Sequence, residues 1–192
     1  MPQIVLASTS KYRRELLARL GLPFEVAAPG VDEVALAHEA PQDTARRLAE
    51  AKARAVSASF PRAIVIGSDQ VAVLEGTTLG KPGNYANALR QLRAMRAKEV
   101  VFHTALCLYN AASGQAETRV VPYCVRFRNY SDAQIEHYLQ LEQPYDCAGS
   151  ARCEGLGIAL IAEMRGDDPN ALIGLPLIAL TEMLAAQGVQ VV

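Results

Sequence analysis

Apolar and polar positions follow one another along this chain in blocks whose periods predict strands and helices in turn. Ile4-Val5-Leu6-Ala7 is an apolar run of strand length, and residues 10–21 continue at helical spacing until Gly21. Further strand-like segments cover residues 63–74, 99–110 and 116–128, and further helical ones residues 41–59, 84–97, 131–142 and 176–187. The pattern predicts an α/β fold with a mixed central sheet flanked by helices.

Two charged residues interrupt this pattern at positions that should be buried. Lys52 falls within the apolar stripe of the helix over residues 41–59, where a lysine is costly unless it meets an anion. The alternative is a lysine at the edge of the stripe whose ammonium reaches water. Asp69 shares the apolar face of its strand with Val65 and Val71, so its carboxylate needs a metal, a cation or a proton. A structural carboxylate that caps a strand end is the alternative.

The segment that follows the first strand has the composition of an anion site. Ser8-Thr9-Ser10 is a small hydroxyl-rich loop, and Lys11, Arg13 and Arg14 stand on the first turns of the next helix. A helix start exposes unpaired N–H groups and the positive end of the dipole, and arginines can bind the same anion. The segment therefore predicts a phosphate site without a Walker glycine loop, with a capped surface helix as the alternative.

Composition limits the classes of function. The 192 residues favour a single domain over 1–192, and the net charge of −1 argues against a basic nucleic-acid binder. The four cysteines form no CxxC pair and no zinc-finger spacing. We find no signal peptide and no apolar run near the roughly 20 residues that span a bilayer. A cytoplasmic protein with no membrane partner is the expectation.

The residues that local structure leaves unexplained suit one chemistry. Lysines and arginines suit a polyphosphate, and carboxylates suit Mg²⁺ or Mn²⁺. Together they suit hydrolysis of a nucleoside triphosphate, in which cations hold phosphates and a carboxylate activates water. The set comprises the loop Ser8–Arg14 and Glu33, Lys52, Asp69, Lys81 and Glu154.

Several short motifs, in this order along nearly the whole chain, resemble those of the Maf-like nucleotide pyrophosphatases. Each motif is weak by itself, whereas their order and spacing are highly specific. They are Ala7-Ser8-Thr9-Ser10 with Arg13-Arg14, Val31-Asp32-Glu33, Leu48-Ala49 with Lys52-Ala53, Gly67-Ser68-Asp69-Gln70, Gly80-Lys81-Pro82, Ala148-Gly149-Ser150, Glu154-Gly155 with Gly157, and Gly174-Leu175-Pro176-Leu177.

The resemblance implies an elongated two-lobed fold similar to inosine-triphosphate pyrophosphatases, with a central cleft. It implies hydrolysis of a nucleoside triphosphate to the monophosphate and diphosphate with a divalent metal, and a homodimer, since members are often dimers. The implied catalytic residues are Asp69 as proton acceptor, Lys52, Lys81 and Glu33, with Asp69 and Glu33 as metal ligands. The implied phosphate-binding residues are Ser8, Ser10, Arg13 and Arg14.

At three positions the chain resembles the branch of the family that acts on 7-methyl-GTP. Tyr12, Gln70 and Glu154 stand where the dTTP and UTP branch usually carries Arg, Thr and Gln. An aromatic face attracts the delocalised positive charge of N7-methylguanine, and a carboxylate complements it. The alternative is that Tyr12 is a partly buried helix aromatic and Glu154 a loop charge.

The chain departs from the usual family pattern at two places. It has Thr104-Ala105 where many members have Thr-Gly, and a predicted polar loop over residues 166–170 where others have Gly-Ser-Tyr. The second difference falls in a loop that would border the base. Other readings stay open: a pyrophosphatase for dTTP and UTP or for inosine and xanthosine triphosphates, or a nucleotide-binding division regulator without turnover.

Overall fold

A computed structural model describes residues 2–192 of the chain. The strands are β1 (Ile4–Ala7), β2 (Glu25–Ala27), β3 (Ile64–Leu74), β4 (Thr77–Leu79), β5 (Glu99–Asn110), β6 (Gln115–Phe127) and β7 (Ile161–Arg165). The α-helices are α1 (Lys11–Ala18), α2 (Pro41–Ser57), α3 (Tyr85–Met95), α4 (Asp132–Glu142), α5 (Pro169–Ile173) and α6 (Leu177–Ala186). Two short 3-10 helices, Ala148–Ser150 and Leu156–Leu160, precede β7.

The strands form one mixed sheet, as the alternation of elements predicts. Its order is β2-β1-β3-β5-β6-β7, with β4 paired to β3. β1 pairs in parallel with both β2 and β3, and Ala7 lies opposite Gly67. β4 pairs antiparallel with β3, and β7 pairs antiparallel with β6. The parallel pairing places the carboxyl end of β1 beside Gly67 of β3, so the loop that follows β1 begins next to Ser68 and Asp69.

The chain divides into two compact units. Unit 1 contains the described residues up to Gln70, then Thr104–Val121 and Asp168–Val192, and unit 2 contains Val71–His103 and Pro122–Asp167. That residues 1–192 form a single domain stays a prediction.

Unit 1 has a continuous apolar core between its strands and helices. Leu6 and Ile66, from β1 and β3, are fully buried and pack with Leu17 of α1 and Leu180 of α6. Burial on this scale contributes on the order of 1.5–3 kcal/mol for each large apolar side chain, so β1 and the first half of β3 have a firm support.

Unit 2 is organised around α3 and α4. Leu92 and Ile135 are fully buried, and the hydroxyl of Tyr130 donates to the Leu92 carbonyl at 2.7 Å. Ser131 begins α4 with a capping box formed with Gln134, as the predicted start at this serine requires.

The structure corrects the sequence prediction near the C-terminus. Residues 166–170 are not all loop, because α5 begins at Pro169. Asp168 is its N-cap and accepts from the Asn170 N–H at 2.9 Å, and Pro169 occupies the first turn, where its missing N–H costs nothing.

Candidate active site

The phosphate-loop candidate lies between β1 and α1 in unit 1. The Ser8 hydroxyl accepts from the Ser10 N–H at 3.1 Å, and the Ser10 hydroxyl accepts from the Arg13 N–H at 3.4 Å. Ser10 is thus the N-cap of α1, which begins at Lys11. These bonds shape the loop so that the first turn of α1 follows directly from the buried strand.

The residues on α1 differ in their surroundings. Arg14 is exposed, whereas Arg13 is half-buried and its Nε donates to the Gly174 carbonyl at 2.9 Å. Tyr12 is half-buried, and the Lys11 ammonium lies 4.8 Å from its ring centroid. The face of this ring therefore already attracts a cation within the protein.

A buried lysine joins two carboxylates at the centre of the candidate site. The Lys52 Nζ lies 2.6 Å from Asp69 Oδ1 and 2.6 Å from Glu33 Oε1. Lys52 is 4% exposed and Asp69 is 7% exposed. The ammonium does not reach out to water, so the alternative of a lysine at the stripe's edge is wrong. The cation that buried Asp69 requires is this ammonium.

Glycine at position 67 makes this contact geometrically feasible. A Cβ there would lie 2.1 Å from the Ala49 carbonyl oxygen and 2.9 Å from the Ala53 nitrogen. α2 therefore lies directly against β3 at this point. Lys52, between those two helix positions, and Asp69, two residues after the glycine, consequently meet.

The loop that carries Glu33 is attached to the start of α2 by an ion pair. Arg47 Nε donates to Glu39 Oε1 at 2.7 Å, and Arg47 Nη2 donates to the Val34 carbonyl at 3.1 Å. Thr44 Oγ1 and the Leu36 N–H also donate to the Glu39 carboxylate. These bonds hold the pKa of Glu39 at about 2, chiefly through Arg47. This pair was not predicted, because no local sequence motif marks it.

Electrostatics place Arg13 with the same group. Burial lowers the pKa of the Arg13 guanidinium, and the carboxylates of Asp69 and Glu33 act against this effect. The guanidinium remains charged near neutral pH, because arginine is not deprotonated in proteins. Arg13, Lys52, Asp69 and Glu33 thus form a cluster with two positive and two negative groups.

Gln70 is held by the protein on the opposite face of β3. Its Nε2 lies 2.9 Å from the Ala171 carbonyl, 3.0 Å from the Leu172 carbonyl and 2.9 Å from Thr104 Oγ1. Strand alternation accounts for the difference, since Asp69 faces α2 and its neighbour Gln70 faces α5. The amide nitrogen of Gln70 is accordingly engaged with α5, and its predicted contact with a base remains a prediction.

Lys81 and Glu154 belong to unit 2. Lys81 is exposed in a loop whose Gly80 carbonyl accepts from Gln91 Nε2 at 3.0 Å. Glu154 Oε1 accepts from Arg152 Nε at 3.2 Å, and the same guanidinium donates to Glu142 at 2.8 Å. The predicted roles of both residues therefore rest on the family resemblance.

Comparison with known proteins identifies the family. The model of the family described as "Maf-like protein" matches residues 3–187. This chain belongs to the Maf-like family. It is 63% identical over 192 residues to "7-methyl-GTP pyrophosphatase" of Methylobacillus flagellatus, with both chains fully covered. It is 59% identical over 190 residues to the protein of the same name from Nitrosospira multiformis, with 99% of this chain and 96% of that one covered.

A third protein named "7-methyl-GTP pyrophosphatase", from Nitrosococcus oceani, is 59% identical over 187 residues, covering 97% of this chain and 94% of its own. Family membership is therefore established over nearly the full length. Within residues 2–192, no helix combines the length and apolar character that crossing a membrane requires.

The predicted metal site can be compared with the side chains that could act as metal ligands. No three His, Cys, Asp or Glu side chains in residues 2–192 are grouped to hold an ion by themselves. Asp69 and Glu33 nevertheless converge on one cationic group, the Lys52 ammonium. Mg²⁺ is commonly held by one or two carboxylates together with waters and substrate phosphates, so this pair fits such an ion.

Proposed function

We propose that this Maf-like protein hydrolyses 7-methyl-GTP to 7-methyl-GMP and diphosphate. The observation that carries the proposal is the buried Lys52 between Glu33 and Asp69, with Arg13 electrostatically coupled to both carboxylates. The names of the relatives, which are 59–63% identical in the three comparisons above, support the choice of substrate.

The proposed mechanism uses Asp69 to orient a water and accept its proton. The water oxygen forms a bond to the α-phosphorus, the bond from that phosphorus to the bridging oxygen breaks, and diphosphate leaves with the electron pair. Lys52 holds Asp69 through one carboxylate oxygen, and the other oxygen serves the water. The positive groups Lys52, Arg13 and Lys81 are proposed to stabilise the negative charge that develops on the phosphates.

Charge balance supports a divalent cation in this proposal. Two positive and two negative groups make the cluster of Arg13, Lys52, Asp69 and Glu33 neutral by itself, whereas a triphosphate brings several negative charges. Asp69 and Glu33 are the residues proposed to hold Mg²⁺ or Mn²⁺, which would neutralise and polarise the phosphates when bound. Ser8, Ser10 and Arg14 are proposed to bind phosphate oxygens beside Arg13.

Recognition of the base is proposed to involve Tyr12, Gln70 and Glu154. The ring of Tyr12 already has a cation against it, since the Lys11 ammonium lies 4.8 Å from its centroid. A ring with this property can also attract the positively charged 7-methylguanine. Localisation in the cytoplasm and assembly as a homodimer are further proposals. Light scattering of the purified protein tests whether it is a homodimer.

The test is diphosphate release by purified protein with Mg²⁺ or Mn²⁺ on 7-methyl-GTP, GTP, dTTP, UTP, CTP and ITP. We expect a preference for 7-methyl-GTP, the monophosphate as product, and loss of turnover with a chelator. Activity centred on dTTP and UTP or on ITP would retain the mechanism and overturn the substrate. Binding without turnover on any of them would favour a regulator. The Asp69→Asn protein, purified identically, controls for contaminating pyrophosphatases.

A further inference from the structure

The Gly174 carbonyl accepts hydrogen bonds from two elements of unit 1 at once. Ser68 Oγ donates to it at 2.9 Å from β3, and Arg13 Nε donates to it at 2.9 Å from α1. Ser68 is fully buried, with 0% exposure. One backbone oxygen therefore joins the strand of Asp69 to the helix that carries Arg13.

The backbone at Gly174 is shaped for this position. Its φ is +123°, a conformation that side chains other than glycine rarely adopt. A Cβ there would lie 3.4 Å from Arg13 Nε and would crowd the guanidinium. The preceding helix α5 is fixed in turn by Asp168, whose carboxylate accepts from the N–H groups of Asn170 and Ile178.

We propose that Ser68 is a positioning residue that sets the place of the Arg13 guanidinium through the Gly174 carbonyl. Ser68 and Asp69 are neighbours on β3 whose side chains face opposite sides of the sheet. The same strand therefore presents the Asp69 carboxylate to Lys52 on one side and binds the Gly174 carbonyl, the acceptor of Arg13, on the other. Arg13 Nε is occupied by the carbonyl, which orients the terminal nitrogens of the guanidinium for an anion. The inference rests on the proposed function insofar as that anion is a phosphate of the substrate.

The test compares Ser68→Ala with Thr104→Val. Thr104 is also fully buried, and its hydroxyl donates to the Ala171 carbonyl of α5 at 2.8 Å. Both variants remove one buried donor to the α5 segment, but only Ser68 shares its acceptor with Arg13. The affinity for inorganic tripolyphosphate, measured by calorimetry with Mg²⁺ present, is the readout that does not depend on the base or on turnover.

We expect both variants to lower the melting temperature, and only Ser68→Ala to weaken tripolyphosphate binding, by about 3- to 10-fold, the range of one hydrogen bond. In the Arg13→Lys background, which lacks the Nε donor, Ser68→Ala should have no further effect on this affinity. With 7-methyl-GTP as substrate, KM should rise by a similar factor. Ser68→Cys, with a weaker donor of similar size, serves if Ser68→Ala does not fold.

Three outcomes overturn the proposal. They are an unchanged affinity in Ser68→Ala, an equal loss in Thr104→Val, and an equal loss from Ser68→Ala in the wild-type and Arg13→Lys backgrounds. Failure of the proposed function is recognised separately, because then the wild-type protein binds no tripolyphosphate or shows no turnover on any nucleotide in the panel.

Discussion

The proton acceptor is the first question at the scale of single residues. Asp69 is buried and its Oδ1 lies 2.6 Å from the Lys52 Nζ. Asp69→Asn keeps the size of the side chain and removes its capacity to accept a proton. We expect turnover to fall by about 10²- to 10⁴-fold, the usual contribution of a positioned general base. Binding of a non-hydrolysable nucleotide analogue should change little, as calorimetry would show.

The control for this substitution is Asp43→Asn on α2. Asp43 is exposed and pairs with Arg46 at 3.4 Å, and such surface pairs contribute little. Asp43→Asn removes the same charge as Asp69→Asn but does not alter the cluster of Arg13, Lys52, Asp69 and Glu33. The turnover of the Asp43→Asn protein should therefore equal that of the wild-type protein. Near-normal turnover in Asp69→Asn would show that another group accepts the proton.

Tyr12 is predicted to select the methylated base. Tyr12→Leu should lower the ratio of kcat/KM for 7-methyl-GTP over that for GTP by about 2- to 5-fold, the range of an exposed cation–π contact. Tyr12→Phe keeps the aromatic face and should keep the ratio. Steady-state kinetics on the two nucleotides measure it. If Tyr12→Leu retains the wild-type ratio, the ring does not contribute to selection.

Single residues also show how much of the candidate site could be predicted from the sequence. The spacing of Lys52 in an apolar stripe predicted an anionic partner, and strand alternation predicted a metal, a cation or a proton for Asp69. The structure pairs the two residues. The link from Ser68 to Gly174 was not predictable, because the residues are 106 positions apart and no local period connects them. Polar contacts across such separations follow from the fold and not from local propensity.

The packing of α2 on β3 gives a prediction at the scale of elements. Because a Cβ at position 67 would overlap the Ala49 carbonyl at 2.1 Å, Gly67→Ala must push the helix away from the strand. We expect a loss of about 1–3 kcal/mol in the free energy of unfolding, with reduced turnover as Lys52 moves from Asp69. Urea denaturation measures the first effect. Gly80→Ala, with open space around the added Cβ, is the control and should unfold like the wild-type protein.

The attachment of the Glu33 loop to α2 predicts a dependence on pH. The pKa of Glu39 is lowered from 4.5 to about 2, mainly by hydrogen bonds from Arg47. A lowered pKa means that the ionised form stabilises the fold, so this contribution is complete above about pH 4.5 and is lost as pH falls through about 2. Glu39→Gln should therefore melt below the wild-type protein at neutral pH, with a gap that narrows in acid.

Arg47→Met removes the cationic partner of the same ion pair. The difference in melting temperature between this variant and the wild-type protein should narrow in acid in the same way. Melting curves recorded from neutral pH to about pH 2 provide the comparison. A gap of constant size in both variants would mean that the ion pair does not set the stability of this loop.

Elements were more predictable than contacts, although β4, β7 and α5 were not among the predicted ones. The helix over Pro41–Ser57 follows an apolar stripe that starts after a proline, and the helix over Asp132–Glu142 follows the cap at Ser131. α5 was missed because Asp168 and Pro169 are common in loops, although both also suit a helix start. With only five residues, this helix has too few apolar positions to show a period.

At the scale of the whole molecule, the units are joined by strands of the chain itself. Three of the four boundaries, at 70/71, 103/104 and 121/122, fall inside β3, β5 and β6, and the fourth, at 167/168, falls between β7 and α5. Domain boundaries usually fall in exposed linkers, and we therefore predict that the two units unfold together as one cooperative fold. Two cysteines can test it: Cys107, which is buried, belongs to unit 1, and Cys153, which is half-buried, belongs to unit 2.

Burial raises the pKa of both thiols, that of Cys153 to about 12, so both should react slowly in the native protein. Pulsed thiol alkylation across a urea series, read for each cysteine by peptide mass spectrometry, then reports unfolding of each unit. We expect the two labelling midpoints to coincide with each other and with the midpoint from circular dichroism. Midpoints that differ clearly would show that the units unfold independently and that the chain holds two domains.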